Sequence, residues 1–510
     1  MKKILSVLAV LCLLFSGCTK KEENTVPEKK NEEVLRSAVM TDGGTVSVTV
    51  RKPDTFNPIV TEYESCRQLY YLFYDGLFTL SDSFSAAPNL AESYTPGEDG
   101  KSGTLKIKHG INFSDGSPLT ADDVLYTVNF IKEHPATYGG CVENIESVTA
   151  SGADTLYFIL YEPERHFETM LTFPVIKANS PESMAYPVGT GQFAAGAGDV
   201  GYTSLTCRKN SGYHMGRPYL DGFTVRFTNT DLKASASFSS GESDLLFGTD
   251  IDVSSAEKVK VYEGRTNRFE FLGFNAAGAL FSEDSARRAV YEAIGKMKFS
   301  DSHEKVSGQS LTPLNPDAWF MSDVQAAEGE DPKDILERNL WKMGSSGVYE
   351  KNGKSFSFKI IVNSDASERI ALAKFISGAL IEHGISADAE VLEYEEYKRR
   401  ITEGEFDAFL GGAAIGNATD PGFLFKTGKS ANVFGYSGGV MDLRIDSLAM
   451  AGDSDLSSEA KKFTKAFSEC APAAGLYFKT MYVAVKKDLV VPAASPTGVF
   501  VTAYTWYLTK

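Results

Sequence analysis

Histidine and tryptophan are scarce in this chain, with six and three among 510 residues. The histidines are scattered, with no H-E-x-x-H run and no close pair, which removes the usual signatures of a protein-ligated metal. Cysteine is equally sparse. Cys12 and Cys18 lie near the start, and Cys66, Cys141, Cys207 and Cys470 are far apart. This spacing matches no zinc site, and disulfides and free buried thiols are both compatible with it. After residue 15 no run of roughly 18 consecutive apolar residues occurs, so nothing later reads as a membrane-spanning helix. Basic residues are outnumbered 51 to 67, and the net charge of -16 argues against a nucleic-acid partner.

What is present begins with Lys2 and Lys3, followed by an apolar run from Ile4 to Phe15 broken only by Ser6. A basic start, a short apolar run and the small residues Ser16-Gly17 make a secretory signal, too short to span a bilayer as a helix. Leu14-Phe15-Ser16-Gly17-Cys18 resembles a lipoprotein signal. That resemblance implies removal of residues 1–17 and lipid on Cys18, although Phe15 stands where leucine is usual. Residues 18–40 begin with a polar, charged stretch that cannot bury enough apolar surface to fold, and read as a tether.

The body of roughly 470 residues is long enough for two or three domains. Its 43% apolar and 23% charged content is ordinary for a globular chain. Val46 to Val50 alternates as a strand does, and Leu105 to Lys108 reads as another. Leu69, Leu72, Phe73 and Leu77 are spaced for one face of a helix over 68–77. Thr120 is a good helix cap, and Asp123 approximates a capping box for a helix through Ile131. Strand 356–362, helix 367–383 and strand 385–392 predict a parallel βαβ unit, and 481–491 reads as strand-rich.

Several separated stretches resemble the peptide/nickel-type solute-binding proteins of ABC importers, extracellular solute-binding family 5. They are Phe56-Asn57-Pro58, Tyr74-Asp75-Gly76-Leu77, Asn89 to Tyr94, Phe113 to Val124, Val188 to Gly191, Arg208-Lys209-Asn210 with Tyr213, and Pro218 to Asp221. Phe274-Asn275, Arg287, Ala293-Ile294 and Glu403 to Asp407 continue the order. The resemblance implies an α/β, two-lobed periplasmic-binding-protein-like fold with an extra subdomain on the first lobe. On it, lobe I covers 41–268 with the subdomain at about 59–178, lobe II covers 269–483, and 484–510 returns to lobe I. The expected function is capture of a short peptide by cleft closure and delivery to ABC permease subunits, as a lipid-anchored extracytoplasmic monomer without cofactor.

The same resemblance places one pocket wall on Thr61, Glu62, Tyr63 and Glu64, where peptide binders pair with peptide backbone as an added strand. Tyr138 lies near a ligand-facing tyrosine of relatives. The other wall is Gly411 to Pro421, including Gly412, Ala413, Ala414, Ile415, Gly416, Asn417 and Asp420. Ala414 stands where peptide binders have tryptophan, and Asn417 where an aspartate holds the peptide amine. Asparagine can accept that bond but lacks the charge that strengthens it. A metal chelate, a sugar or another small molecule is therefore the alternative solute, and a surface adhesin the alternative class.

Two motifs point elsewhere. Gly435-Tyr436-Ser437-Gly438-Gly439 fits the hydrolase pattern G-x-S-x-G, but no histidine follows Ser437 to complete the serine, acid, histidine order. Gly189-Thr190-Gly191 lacks the strand before it and the helix after it that a dinucleotide site requires, and reads as a tight turn. No enzymatic activity is expected.

Overall fold

The computed structural model describes residues 40–510 except 255, 257, 300–307, 326–328, 417, 487, 493, 494 and 496. The signal segment, Cys18, the tether through residue 39, and Asn417 lie outside the described residues.

The backbone of the molecule is a ten-stranded sheet. At its centre run two long antiparallel strands, Val259–Phe274 and Ala473–Lys486. Both are rich in β-branched and aromatic residues, which suit a sheet packed on both faces. Val259–Arg265 pairs with Thr480–Lys486, beside strand Leu245–Gly248 of the first lobe. Arg268–Phe274 pairs with strand Ala408–Ala414 of the second lobe. The register slips between Arg265 and Phe269 and again between Glu270 and Phe271. Such irregularities bend and twist a ladder, so one sheet serves two lobes.

In the first lobe, strand Thr45–Arg51 lies parallel to Gly222–Thr228 and Leu245–Gly248. Val46, Val48 and Val50 are buried on it. In the second lobe the βαβ unit forms as Ser357–Asn363, helix Ser367–Leu380 and Ser386–Leu392, with the strands parallel. Strand Ala408–Ala414 joins them in parallel. Each lobe has its own core: Val48, Leu69, Val225 and Val485 belong to one, and Leu272, Phe274, Ile360 and Ile376 to the other. The C-terminal strand Tyr507–Thr509 pairs with Met40–Thr41, next to Trp506, which is buried against Phe223 and Phe500.

A four-stranded antiparallel sheet, Ala91–Pro96, Ser102–Ile107, Thr155–Leu160 and Ile145–Ser151, forms a subdomain on the first lobe. Helix Ala121–Glu133 belongs to it and buries Val124, Val128 and Ile131. The cap differs in one respect from expectation: the Thr120 hydroxyl donates to the Asp123 carboxylate at 2.9 Å, and Thr120 N–H does so at 2.8 Å. Gly116 in the preceding turn has φ +86°, as its turn chemistry requires.

The helix predicted over 68–77 is instead Glu64–Tyr70. Leu72, Phe73 and Leu77 are buried, but in a turn. Tertiary contacts override the helical spacing here. Gly76 bridges to Pro174, and a Cβ on it would sit 2.6 Å from the Thr172 carbonyl oxygen. Asp75, 4% exposed, is the hub that fixes this turn. Its carboxylate accepts from Tyr213 Oη at 2.9 Å, Thr190 Oγ1 at 3.2 Å and Asn89 Nδ2 at 3.4 Å, with His214 Nε2 at 3.3 Å. Four separated motifs of the sequence thus meet on one carboxylate. Gly189 and Gly191 are needed for close approach to the backbone of Phe73, not for a tight turn. Their Cβ atoms would lie 2.1 Å from the Phe73 carbonyl oxygen and 2.4 Å from its carbon.

All four described cysteines are free thiols. No described helix is long and apolar enough to cross a membrane. The close approach predicts that Gly189→Ala lowers unfolding free energy by about 1–3 kcal/mol. The check is the denaturant midpoint at unchanged slope; an unmoved midpoint would mean that the two segments have room to spare.

Candidate ligand-binding cleft

Open parallel sheets present their ligand sites beyond the carboxyl ends of the strands. In this molecule those ends lead into the two segments the sequence singles out. Strand Thr45–Arg51 runs into residues 52–63 and helix Glu64–Tyr70, and strand Ala408–Ala414 runs into 415–421.

Asp54 shapes the first wall. Its carboxylate accepts from Thr61 Oγ1 at 2.6 Å and from Glu62 N–H at 2.9 Å. Arg67 donates to the Thr61 carbonyl at 3.0 Å, and its own N–H bonds the Tyr63 carbonyl at 3.0 Å. Four groups of the segment expected to pair with a ligand backbone are therefore engaged internally, and Thr61 is buried. Glu62 is exposed, and the Tyr63 ring lies under the Arg51 guanidinium at 3.8 Å. Glu64 is bonded by Arg67 at 2.7 Å and by Gln68 at 2.9 Å, with Arg268 of the crossing strand at 3.8 Å. Burial pushes the Glu64 carboxyl up, but Arg67 and Gln68 outweigh this and hold it below its ordinary value. Tyr138 stands in the same group. Burial raises its hydroxyl well above the usual range, and Tyr71, Arg67 and Glu64 are near enough to act on it.

In the second wall, Gly412 is small for a specific reason. Gly412 lies opposite Glu270, Ala413 opposite Phe269, and Ala414 opposite Arg268. Glu270 is 2% exposed and receives Arg369 in a bidentate pair, at 2.9 and 3.0 Å. A Cβ at 412 would meet Glu270 Oε1 at 2.3 Å and Arg369 Nη2 at 2.7 Å. Lys479 of the other crossing strand lies 4.0 Å from Glu270 and 3.0 Å from Glu368, which also accepts from Tyr477 Oη at 3.0 Å. Glu368 and Arg369 belong to the first turn of helix Ser367–Leu380.

Beyond the strand, Ile415 is buried and its N–H bonds the Asn267 carbonyl at 2.8 Å. A Cβ on Gly416 would lie 3.5 Å from the Met170 sulfur, so this segment touches the first lobe. Asp420 accepts from Gly422 N–H at 2.6 Å. Burial pushes its carboxyl up to about 6, with the Gly422 bond, Lys429 and Lys426 pulling the other way. Ser437 lies in an irregular stretch ahead of helix Gly439–Ala449 rather than at a strand-to-helix elbow. Among the described residues no group of three or more His, Cys, Asp or Glu could hold a metal.

Arg268 links the two segments, lying 3.8 Å from Glu64 and opposite Ala414, and Arg67, Glu270, Arg369 and Lys479 stand beside them, none of them expected from the sequence. The available signal was Glu270 inside the apolar run Arg268-Phe-Glu-Phe-Leu-Gly-Phe274, paired with a strand carrying Gly411-Gly412. Glu270→Ala would leave the half-buried Arg369 without its bidentate carboxylate and Lys479 with Glu368 alone. The expected cost is about 3–5 kcal/mol, with part recovered when Arg369→Met is added. Chemical denaturation of both variants checks this, and an unchanged stability of Glu270→Ala would refute it.

A family model described as bacterial extracellular solute-binding proteins, family 5 Middle, matches residues 85–435. The chain is 24% identical over 540 residues to the oligopeptide-binding protein AppA of Bacillus subtilis (strain 168), covering 99% of this chain and 98% of that one. The solved structure of Bacillus subtilis AppA in complex with a nonapeptide has a TM-score of 0.68 at 21% identity, over 92% of this chain and 100% of that one. NikZ from Campylobacter jejuni in complex with Ni(L-His) has a TM-score of 0.69 at 19% identity, over 91% and 99%. With two lobes, two crossing strands and a family match across most of its length, the chain belongs to the bacterial extracellular solute-binding proteins, family 5.

Proposed function

We propose that this protein captures a short peptide between its lobes outside the cytoplasm and presents it to the permease subunits of an ABC importer, as a monomer anchored by lipid on Cys18. What supports this reading is that residues 52–63 and 415–421 follow the carboxyl ends of strands with parallel neighbours, on either side of two crossing strands. Thr61 to Glu64 and Tyr138 serve as the first wall, and Gly412 to Asn417 with Asp420 as the second. The role is binding, with no catalytic step. AppA, similar over nearly the whole chain, is named for oligopeptides, and its solved complex holds a nonapeptide. A metal chelate is the second reading. The similar fold of NikZ with Ni(L-His) and the uncharged Asn417 in the second wall favour it.

The wall charges bear on selectivity. Glu64 with Arg67, Glu270 with Arg369, and Glu368 with Lys479 already neutralise one another. These paired charges offer a ligand little net attraction, so the preference for side-chain charge is weak.

A thermal-shift screen with di- to nonapeptides, metal chelates and sugars tests the solute class. A true ligand at a hundredfold excess over its Kd stabilises the folded state by about 2.7 kcal/mol. Acidic, basic and neutral peptides of one length are expected to give similar shifts. Stabilisation by chelates alone would replace the peptide reading with the second one. Membrane fractionation tests the anchor: Cys18→Ala is expected to move the protein from the membrane to the soluble fraction, and unchanged membrane association would exclude lipid on Cys18.

A further inference from the structure

The two crossing strands are not the only junction between the lobes. Residues 162–166 follow the subdomain strand Thr155–Leu160 and reach the second lobe at four points. The Glu162 carboxylate takes Lys426 on one oxygen at 2.9 Å and Lys429 on the other at 3.1 Å. Arg165 N–H donates to the Ala449 carbonyl at 3.0 Å. His166 Nε2 lies 3.1 Å from the Ala451 carbonyl, and Thr419 Oγ1 donates to Glu164 Oε1 at 3.3 Å. We infer that this segment is a clasp, a polar latch that holds the lobes together around the cleft, with Glu162 as its positioning residue.

Three features argue for a latch rather than incidental surface contact. The first is preorganisation. Asn144 brackets the backbone of Glu162, donating to its carbonyl at 3.0 Å and accepting its N–H at 2.9 Å. The backbone that carries the carboxylate is therefore set within the subdomain. The second is geometry on the receiving side. Lys426 is held by Asp446 at 2.6 Å, so the acceptor of the clasp is also set within its own lobe. Lys426 and Lys429 are 18% and 29% exposed and Glu162 39%, so the pairs are half-buried at the junction. The third is position. Lys426, Lys429 and Glu162 all act on Asp420, at the end of the second cleft wall, so the latch and the wall share one patch of charge. The contacts are directional and polar, and each group can be hydrated when the lobes part, which suits a junction that is made and broken.

The clasp stands beside an apolar contact. The hairpin of Phe78–Leu80 and Ala86–Pro88 seats Phe84 in the core of the second lobe, and Ser83 accepts from Trp319 N–H at 2.8 Å. The test must therefore separate the two. The inference rests on the reading that the lobes open and close around a solute, but it can be measured without any solute.

Overlapping-peptide hydrogen exchange on the full chain reads it directly, because the Arg165 amide is bonded across the lobes while the Tyr161 amide, to the Asn144 carbonyl, is bonded within the subdomain. Glu162→Gln keeps the side-chain shape and the backbone bonds to Asn144. It is expected to speed exchange at Arg165 about tenfold, the loss of a charge-assisted bond, and to leave Tyr161 unchanged. Lys426→Met with Lys429→Met, made on the other lobe, should do the same. Equal Arg165 protection in wild type and both variants would overturn the clasp and leave the Phe84 hairpin as the holding contact. Equal loss at Tyr161 and Arg165 would also overturn it, since that reports fraying of the subdomain. A failed peptide screen with an intact exchange pattern would sink the solute reading alone.

Discussion

A strand shared by two cores has to keep its ladder paired while the packing on either side changes direction. Val259–Phe274 and Ala473–Lys486 meet that constraint by slipping register twice where they pass from one lobe to the other. Between the slips only Phe269 and Glu270 are paired, and Glu270 sits there almost wholly buried. A lone carboxylate in that place would be costly. Arg369 and Lys479 make it tolerable, and by doing so they tie the first turn of helix Ser367–Leu380 to both crossing strands. Gly412 follows from the same demand, because a Cβ there would press on the paired Glu270 and Arg369 head groups.

Much of the fold could be read before the structure. The strand at 45–51, the capped helix at 121–133 and the βαβ unit at 357–392 each announce themselves locally, through alternation, a cap residue or a strand–helix–strand rhythm. The helix over 68–77 failed because apolar spacing reports burial, and a turn gripped by Asp75 buries the same residues. Gly189 and Gly191 were seen but misread: turn chemistry and close approach leave the same letter in the sequence, and only packing tells them apart.

The site was legible in outline. Residues 61–64 and 412–416 lie where parallel strands end, a position that topology dictates. The charged residues behind them were not legible, since Glu270, Arg369 and Lys479 are about a hundred residues apart from one to the next and become neighbours only through the sheet. The strand segment Arg268–Phe274 hid its one carboxylate among apolar residues, and Thr61 to Glu64 gave no hint that Asp54 and Arg67 already occupy much of its backbone.

The four free cysteines carry a consequence of their own. Burial pushes the thiols of Cys66, Cys141 and Cys207 up to about 12, and that of Cys470 also upward. Thiolate is the form that attacks disulfides and meets oxidants, and burial disfavours it at all four. The four described thiols are thus poor partners for thiol–disulfide exchange. An exported chain built this way reaches its final form without waiting for an oxidant, and keeps that form when reductant is present.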